Sequence, residues 1–435
     1  MIKPERGVYM KVDNEGHLVI PSEVASRYGM KPGRHVLVSA GPNGLNICRS
    51  PESLAKLYIE PTNQCNLNCR TCMRHVWDEP MGKMSDMVFA RVMEGLRAFS
   101  PPPQIFFGGF GEPLFHPKIV AMVAQAKSLG SRVELITNGT MLTADLSGAL
   151  INNGLDMLWV SLDGATPQSY ADMRLGAALP QVLENLSCFT RLRKSLPTSS
   201  SEDHPCTDEE FSSFGSGDGP GIQLGIEFVA MKRNIDDLPA VIDIGQRFGA
   251  ERFIVTNVLP YTKELIDETL YRHTPYSSGY SHLSLPAMNV NDITYTPLYQ
   301  AMRKLYGTWA NIGSETDRNY CPFINNGAGA IRWDGNLSPC LPLMHSHPSY
   351  LDYLPNVERF QRHWTIGNVT ERSLPDLWNT PEHMSFRQRV QAFDFPPCTA
   401  CGSGEFFADN EHDCYGNTFP TCGGCLWAQG VIRCP

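Results

Sequence analysis

The chain has 435 residues, of which 42% are hydrophobic and 19% are charged, a composition that excludes wholesale disorder. At about 150 residues per domain, this length allows roughly three domains. The 36 basic and 45 acidic residues give a net charge of −9, the wrong sign for nucleic-acid binding along the whole chain. No apolar run approaches the roughly 18 residues that a membrane-spanning helix needs. The first residues also lack the apolar stretch of a secretory signal, so we expect a cytoplasmic protein.

Residues 1–52 are predicted to form a small, mainly β unit. Glycine-containing turns separate four strand-like runs and one short helix, at residues 8–12, 16–20, 22–28, 35–39 and 45–48. The string Gly-His-Leu-Val-Ile-Pro-Ser-Glu-Val-Ala at 16–25 resembles the swapped-hairpin AbrB-like domains, which usually bind DNA as intertwined dimers. Residues 1–50 hold seven basic and four acidic residues, and this small surplus favours docking or homodimerisation over DNA binding.

Between residues 53 and 305 the pattern changes to strand-like runs that alternate with amphipathic helices. The predicted strands are 57–60, 104–107, 133–136, 157–162, 224–229 and 253–255, and the predicted helices are 87–99, 119–129, 142–151, 182–192 and 238–248. Ser85 is the expected N-cap of the first helix, while Gly130, Gly154 and Gly249 are expected to end three others. Six such units predict an α/β fold whose functional residues lie on loops at the carboxyl ends of parallel strands. Residues 195–221, rich in Ser, Gly and Asp, indicate a surface insertion.

Fourteen cysteines are present, and in a large chain without a secretory signal their clustering indicates metal or redox ligands rather than disulfides. Cys65, Cys69 and Cys72 lie together directly after the first predicted strand. Three thiolates on one tight loop can ligate three irons of a four-iron cluster and leave the fourth iron open to a ligand. The alternative is a zinc site that borrows a distant fourth ligand. Eight more cysteines lie in the last part of the chain, at Cys321, Cys340, Cys398, Cys401, Cys414, Cys422, Cys425 and Cys434.

The spacing Cys-x3-Cys-x2-Cys on the first βα loop of a six-unit series resembles the radical S-adenosylmethionine (SAM) enzymes. The segment Gly-Gly-Phe-Gly-Glu-Pro at 108–113 is similar to the family's glycine-rich segment that holds the amino group of SAM, and Thr-Asn-Gly-Thr at 137–140 matches the family's usual sequence after the third strand. Glycine suits the segment at 108–113 because the backbone there must approach the ligand closely. The resemblance implies a partial (β/α)6 barrel and cofactor-binding roles for Gly108, Gly109, Gly111, Glu112, Asn138, Ser161, Asp163 and Arg174.

The resemblance also implies a mechanism. A reduced four-iron cluster on the three catalytic cysteines would cleave SAM to methionine and a 5′-deoxyadenosyl radical, which abstracts hydrogen from an unreactive C–H bond, so a low-potential electron donor is expected. Ser161 and Asp163 stand where relatives hydrogen-bond the ribose or methionyl part of SAM, and Arg174 stands where relatives contact its carboxylate. Helix capping or a surface ion pair is the alternative for these three residues.

Residues 306–435 resemble a SPASM domain, the auxiliary-cluster module of radical SAM maturases. Cys321, Gly335 and Cys340 fit its opening pattern, and the later cysteines resemble its close. Eight cysteines suffice for two further four-iron clusters. The resemblance assigns Cys321, Cys340 and Cys425 to the first and Cys398, Cys401, Cys422 and Cys434 to the second, with Cys414 as the candidate to complete the first. The alternative is a zinc ribbon, because Cys398-x2-Cys401 and Cys422-x2-Cys425 have a similar spacing.

Four other polar residues have two interpretations. His345 and His347, close to Cys340, could ligate a metal, but solvated loop histidines are the favoured prediction. Glu227 and Asn257, at strand ends facing the expected cavity, are candidates to contact SAM or substrate.

The AbrB-like N-terminus, the string Cys-Asn-Leu-Asn-Cys-Arg-Thr-Cys-Met-Arg and the C-terminal cysteine pattern together most resemble the radical SAM maturases of tungsten-cofactor oxidoreductases. This implies an anaerobic enzyme that matures an aldehyde ferredoxin oxidoreductase-type protein or its tungsten cofactor. One alternative is a peptide-modifying SPASM enzyme, thioether-forming or dehydrogenating. Leu341 opposes a sulfatase-maturing type, which has a catalytic Asp after the cysteine corresponding to Cys340. An alternative of another class is a metal-sensing, DNA-binding regulator.

Overall fold

Six strands pair in parallel and in chain order, as the alternating sequence pattern predicts. In the computed structural model they are β1 (Lys56–Ile59), β2 (Gln104–Phe107), β3 (Val133–Thr137), β4 (Met157–Ser161), β5 (Gln223–Ala230) and β6 (Arg252–Asn257). Among the described residues the sheet does not close: β8 (Leu283–Leu285) pairs in parallel with β6, and β7 (Ser278–Gly279) pairs antiparallel with β8. The expected α/β fold with a partial barrel is confirmed.

The structure describes residues 11–27, 30, 33, 36–41, 44–47, 49–194, 221–271, 278–279, 283–306, 319–351, 357–396, 398 and 408–435. The predicted insertion lies outside these residues except for Gly221, and so does Cys401. None of the described helices is long and apolar enough to cross a membrane.

Helices cover the outer face of the sheet between successive strands. They are α1 (Asp86–Leu96), α2 (Ile119–Ser128), α3 (Ala144–Asn152), α4 (Pro167–Met173), α5 (Leu179–Lys194) and α6 (Leu238–Arg247). Ser85 caps α1 as predicted, since its side chain accepts a hydrogen bond from the N–H of Val88. Helix α3 begins two residues later than expected, because Thr143 caps it by accepting from the N–H of Leu146.

Glycine ends three of these helices at the predicted positions. Gly130, Gly154 and Gly249 have φ angles of +76°, +79° and +70°, in the left-handed region where a side chain costs energy. Each of them turns the chain toward the strand that follows.

The cysteine-rich C-terminal region extends the same sheet beyond β1. Here β9 (Ala328–Ile331) pairs in parallel with β1, and the antiparallel strands β10 (Asn336–Ser338) and β13 (Gly367–Asn368) follow outward. The fully buried Trp378 packs so tightly on β9 that a Cβ on Gly329 would lie 2.9 Å from its ring. The remaining C-terminal elements are β11 (His347–Leu351), β12 (Val357–Gln361), α8 (Leu374–Trp378) and α9 (Pro381–Ala392). Helix α7 (Tyr295–Tyr306) precedes this region and packs against α6.

The described part of the N-terminal unit has the predicted order of elements, strand–strand–helix–strand–strand. Two short hairpins flank one helix, with strands Lys11–Val12, Leu18–Val19, Val38–Gly41 and Gly44–Ile47 and helix Ser22–Arg27. Its AbrB-like character and a homodimer through it stay predictions, as do the domain boundaries at residues 52 and 305.

Candidate functional site

The three N-terminal cysteines lie on the loop after β1 and are half-buried. Cys65 Sγ accepts a hydrogen bond from the N–H of Leu67 at 3.3 Å, and Cys72 Sγ accepts from Arg74 Nε at 3.2 Å. Burial raises the pKa of the Cys69 thiol to about 11. Since only thiolates ligate iron, the positive charge of a metal has to favour the deprotonated form here. Hydrogen bonds to sulfur are a feature of cysteines that hold iron–sulfur clusters.

The glycine-rich segment after β2, residues 108–113, packs backbone to backbone on the start of this loop. The N–H of Glu112 donates to the carbonyl of Gln64 at 2.9 Å. A Cβ on Gly111 would lie 2.1 Å from the carbonyl oxygen of Thr62 and 2.7 Å from that of Gln64. Only glycine fits at position 111, because the two loops contact each other there through their backbones.

The carboxylate of Glu112 joins the second loop to the third. It accepts hydrogen bonds from Leu114 N–H at 2.9 Å, Thr137 Oγ1 at 2.8 Å and Asn138 N–H at 2.7 Å. The side-chain amide of Asn138 lies 3.8 Å from Cys65 Sγ. The structure therefore brings the predicted residues Glu112 and Asn138 to the cysteine loop, with the Glu112 carboxylate engaged by protein donors.

Arg174 and Asp163 form a buried ion pair near Cys69. Arg174 Nη2 lies 2.6 Å from Asp163 Oδ2, with the two side chains 11% and 2% exposed, and Asp163 Oδ1 accepts from Val229 N–H at 2.8 Å. An ion pair is one of the expected alternatives, although it is buried rather than on the surface. Arg174 Nε is also buried, and no acceptor among the described residues reaches it. This orphaned donor fits an anionic ligand group such as the carboxylate of SAM.

Ser161 and Glu227 meet on the inner face of neighbouring strands. Ser161 Oγ donates to Glu227 Oε2 at 3.1 Å. Burial and the nearby Asp163 carboxylate raise the pKa of Glu227 to about 7. Asn257, the other strand-end candidate, anchors the C-terminal segment through its Nδ2, which donates to the carbonyl of Val431 at 2.9 Å. No donor among the described residues reaches its buried Oδ1, and its contact with SAM or substrate stays a prediction.

Four C-terminal cysteines share one neighbourhood. Cys321 and Cys340 are buried. Burial raises the pKa of Cys321 to about 12, with a further contribution from Cys425. Burial and then Cys425 and Cys321 raise the pKa of Cys422. Burial and then the thiols of Cys321, Cys425 and Cys422 raise the pKa of Cys340. Cys422 thus lies near Cys321, Cys340 and Cys425, the three ligands predicted for the first auxiliary cluster.

Cys398 lies beside the turn that carries Cys422 and Cys425. Its Sγ is 3.0 Å from the point that a Cβ on Gly423 would occupy, and its pKa is raised by burial and by the thiol of Cys414. Cys434 Sγ accepts a hydrogen bond from Trp427 Nε1 at 3.2 Å. The assignment of each cysteine to a particular cluster stays a prediction.

The zinc alternatives require all ligands about 2.3 Å from one point. In the part of the chain that the structure describes, no three Cys, His, Asp or Glu side chains converge in that way. Cys398, Cys422 and Cys425, three of the four zinc-ribbon ligands, belong to that part.

The prediction that His345 and His347 are solvated is wrong. Their residues are 0% and 3% exposed. Both ring nitrogens of His345 meet carboxylates, those of Glu60 and Glu79. These partners are 285 and 266 residues away in sequence, so no local pattern indicates the contact.

Two family models match the chain. That of the radical SAM superfamily covers residues 59–198, and that of the SPASM iron–sulfur cluster-binding domain covers residues 321–402. The tungsten-containing aldehyde ferredoxin oxidoreductase cofactor-modifying protein of Pyrococcus furiosus is 28% identical over 388 residues, which cover 87% of this chain and 96% of that protein. The Fe-coproporphyrin III synthase of Methanosarcina barkeri is 23% identical over 73% of this chain and 71% of its own.

Among solved structures, SuiB of Streptococcus suis bound to S-adenosylmethionine resembles the fold with a TM-score of 0.51. It is 13% identical in sequence, and the match covers 84% of this chain and 73% of that chain. This similarity is one of fold.

The loop contact at Gly111 generates a prediction. Gly111→Ala should displace the start of the cysteine loop, because the new methyl group meets two backbone carbonyls rather than flexible side chains. We expect reconstituted wild type to hold about twelve irons and Gly111→Ala to lose about four of them, measured by iron and sulfide analysis. Gly148→Ala is the matched control, since a Cβ there meets nothing within 4 Å. Full iron content in Gly111→Ala would contradict the described packing.

Proposed function

Because the chain belongs to the radical SAM superfamily and carries a SPASM iron–sulfur domain, we propose that it cleaves SAM reductively at a four-iron cluster held by Cys65, Cys69 and Cys72. The observation that carries this proposal is the position of the three half-buried thiols on the first βα loop, near the orphaned donor of Arg174. The bound cluster and SAM supply the radical chemistry.

The residues of the chain bind and orient SAM. Arg174, held in place by Asp163, is assigned to the SAM carboxylate, with its free Nε–H as the available donor. The backbone of Gly108 and Gly109 is assigned to the SAM amino group. Glu112 acts on the ligand indirectly, because its carboxylate fixes the second and third loops.

The proposed biological role is maturation of a tungsten-cofactor oxidoreductase or of its cofactor. The similarity to the Pyrococcus cofactor-modifying protein supports this role because it runs through nearly the whole of both chains, including the barrel and the cysteine-rich region. The auxiliary clusters are assigned to the C-terminal cysteines, and the reaction requires a low-potential electron donor.

SAM cleavage is tested by one substitution. Cys69→Ala leaves two thiolates, which cannot hold a four-iron cluster with a single open iron. Anaerobically reconstituted, reduced wild type should release 5′-deoxyadenosine from SAM, and Cys69→Ala should fall to background, as measured by liquid chromatography. Cys188→Ala on helix α5 is the control and should retain full release. Undiminished cleavage by Cys69→Ala would overturn the proposal.

The substrate is tested by co-expression. A tungsten oxidoreductase produced together with this protein should carry a modified pterin or a modified residue that is absent when Cys69→Ala replaces the wild type. Intact and digested samples are compared by mass spectrometry. An unaltered oxidoreductase and cofactor, with SAM cleavage intact, would exclude the tungsten role and favour a peptide substrate.

A further inference from the structure

A buried histidine links the cysteine-rich region to the first two loops of the barrel. His345 Nδ1 lies 2.6 Å from Glu79 Oε2, and its Nε2 lies 3.1 and 3.2 Å from the two oxygens of Glu60. An ionised carboxylate can only accept hydrogen bonds. Both ring nitrogens therefore have to donate, which only the positively charged imidazolium can do.

Several charged groups surround this histidine. Burial lowers the pKa of His345, but the hydrogen bonds to Glu60 and Glu79 outweigh burial and raise it. The titratable and charged groups around it are Glu60 at the end of β1, Glu79 on the loop after the cysteines, Arg332 after β9, Asp334 beyond Arg332, His347 and the half-exposed His363.

Neither Arg332 nor His347 provides the positive charge that Glu60 needs, so His345 is its main source. Arg332 is engaged by Glu79 at 3.0 Å and by Asp334 at 3.3 Å. Burial lowers the pKa of His347 to about 4, so this ring is neutral at neutral pH. Within the described chain, His345 is the one cationic group that Glu60 contacts. Loss of the His345 proton would leave a buried carboxylate uncompensated, which is costly.

Glu60, whose position depends on His345, also contacts the glycine-rich segment. Its Oε1 accepts a hydrogen bond from the N–H of Phe110 at 3.1 Å. A Cβ on Gly109 would lie 2.8 Å from Glu60 Cγ. The ring of Phe110 also meets that of His345 edge-on, with centroids 5.4 Å apart. His345 thus contacts the segment directly and through Glu60.

We propose that His345 is a positioning residue whose imidazolium, held between Glu60 and Glu79, keeps residues 108–113 in their SAM-binding arrangement and makes SAM affinity depend on its proton. The inference rests on the proposed function in one respect, that SAM is the ligand of this segment. A group whose pKa is raised by folding is charged below that pKa and loses its contribution as the pH rises through it. SAM affinity should accordingly fall as the pH rises into the alkaline range.

The experiment measures SAM binding by anaerobic equilibrium dialysis of reconstituted protein from mildly acidic to alkaline pH. Wild type should lose affinity at alkaline pH. His345→Gln should bind about tenfold more weakly at neutral pH, as expected for one lost charge-assisted contact, and should lack this alkaline loss. Glu79→Gln removes one carboxylate, keeps Glu60 paired and should shift the loss of affinity to lower pH. His363→Gln is the matched control, since His363 is 45% exposed and 3.9 Å from Glu79, and it should behave as wild type.

A second readout needs no SAM. Hydrogen–deuterium exchange of residues 108–113 in the SAM-free protein should be faster in His345→Gln than in wild type or His363→Gln. Equal exchange and equal SAM affinity in His345→Gln and wild type would overturn the role of His345. Wild type that binds no SAM, with faster exchange in His345→Gln, would contradict the proposed function and leave the positioning role supported.

Discussion

The contact between the cysteine loop and the glycine-rich segment is the interaction on which the site depends. Two backbones approach each other without an intervening side chain, because Gly111 faces the carbonyls of Thr62 and Gln64. The hydrogen bond from Glu112 N–H to Gln64 fixes the same two loops in register, and the Glu112 carboxylate adds the third loop through Asn138. Three loops at the carboxyl edge of the sheet thereby become one rigid unit, and the positions of the thiols follow from it.

Buried charges complete this arrangement. Asp163 orients Arg174, and Glu60 and Glu79 hold His345. Buried ion pairs contribute little net stability, but removal of one partner is strongly destabilising because the other is left uncompensated. Each group is therefore confined to one geometry. The Arg174 pair lies beside the first cluster site, while the His345 group joins the cysteine-rich region to the barrel. The shared sheet, with β9 against β1, makes the same connection through the backbone.

Much of the fold follows from local sequence. The period of apolar residues identified the six strands and five of the six helices between them, but not the short helix α4. Ser85, Gly130, Gly154 and Gly249 marked helix ends because capping and positive φ are local properties. The cysteine loop was equally accessible from its spacing and place in the series. Contacts between residues far apart in the sequence could not be predicted in this way. The exposure of His345 was predicted wrongly because its carboxylate partners are remote in sequence, and the anchoring role of Asn257 toward Val431 has no sequence signal. The thiol neighbours of Cys422 likewise depend on how the C-terminal region folds back on itself.

The central claim is that Cys65, Cys69 and Cys72 hold a cluster with one iron open to SAM. Electron paramagnetic resonance of the reduced protein, with SAM isotopically labelled in its amino and carboxylate groups, tests this claim most directly. The account predicts hyperfine coupling between one cluster and the labelled groups, and its loss when the three cysteines are replaced by alanine while the signals of the auxiliary clusters persist. A cluster signal that is unchanged by SAM, or a coupling that survives the triple replacement, would contradict it.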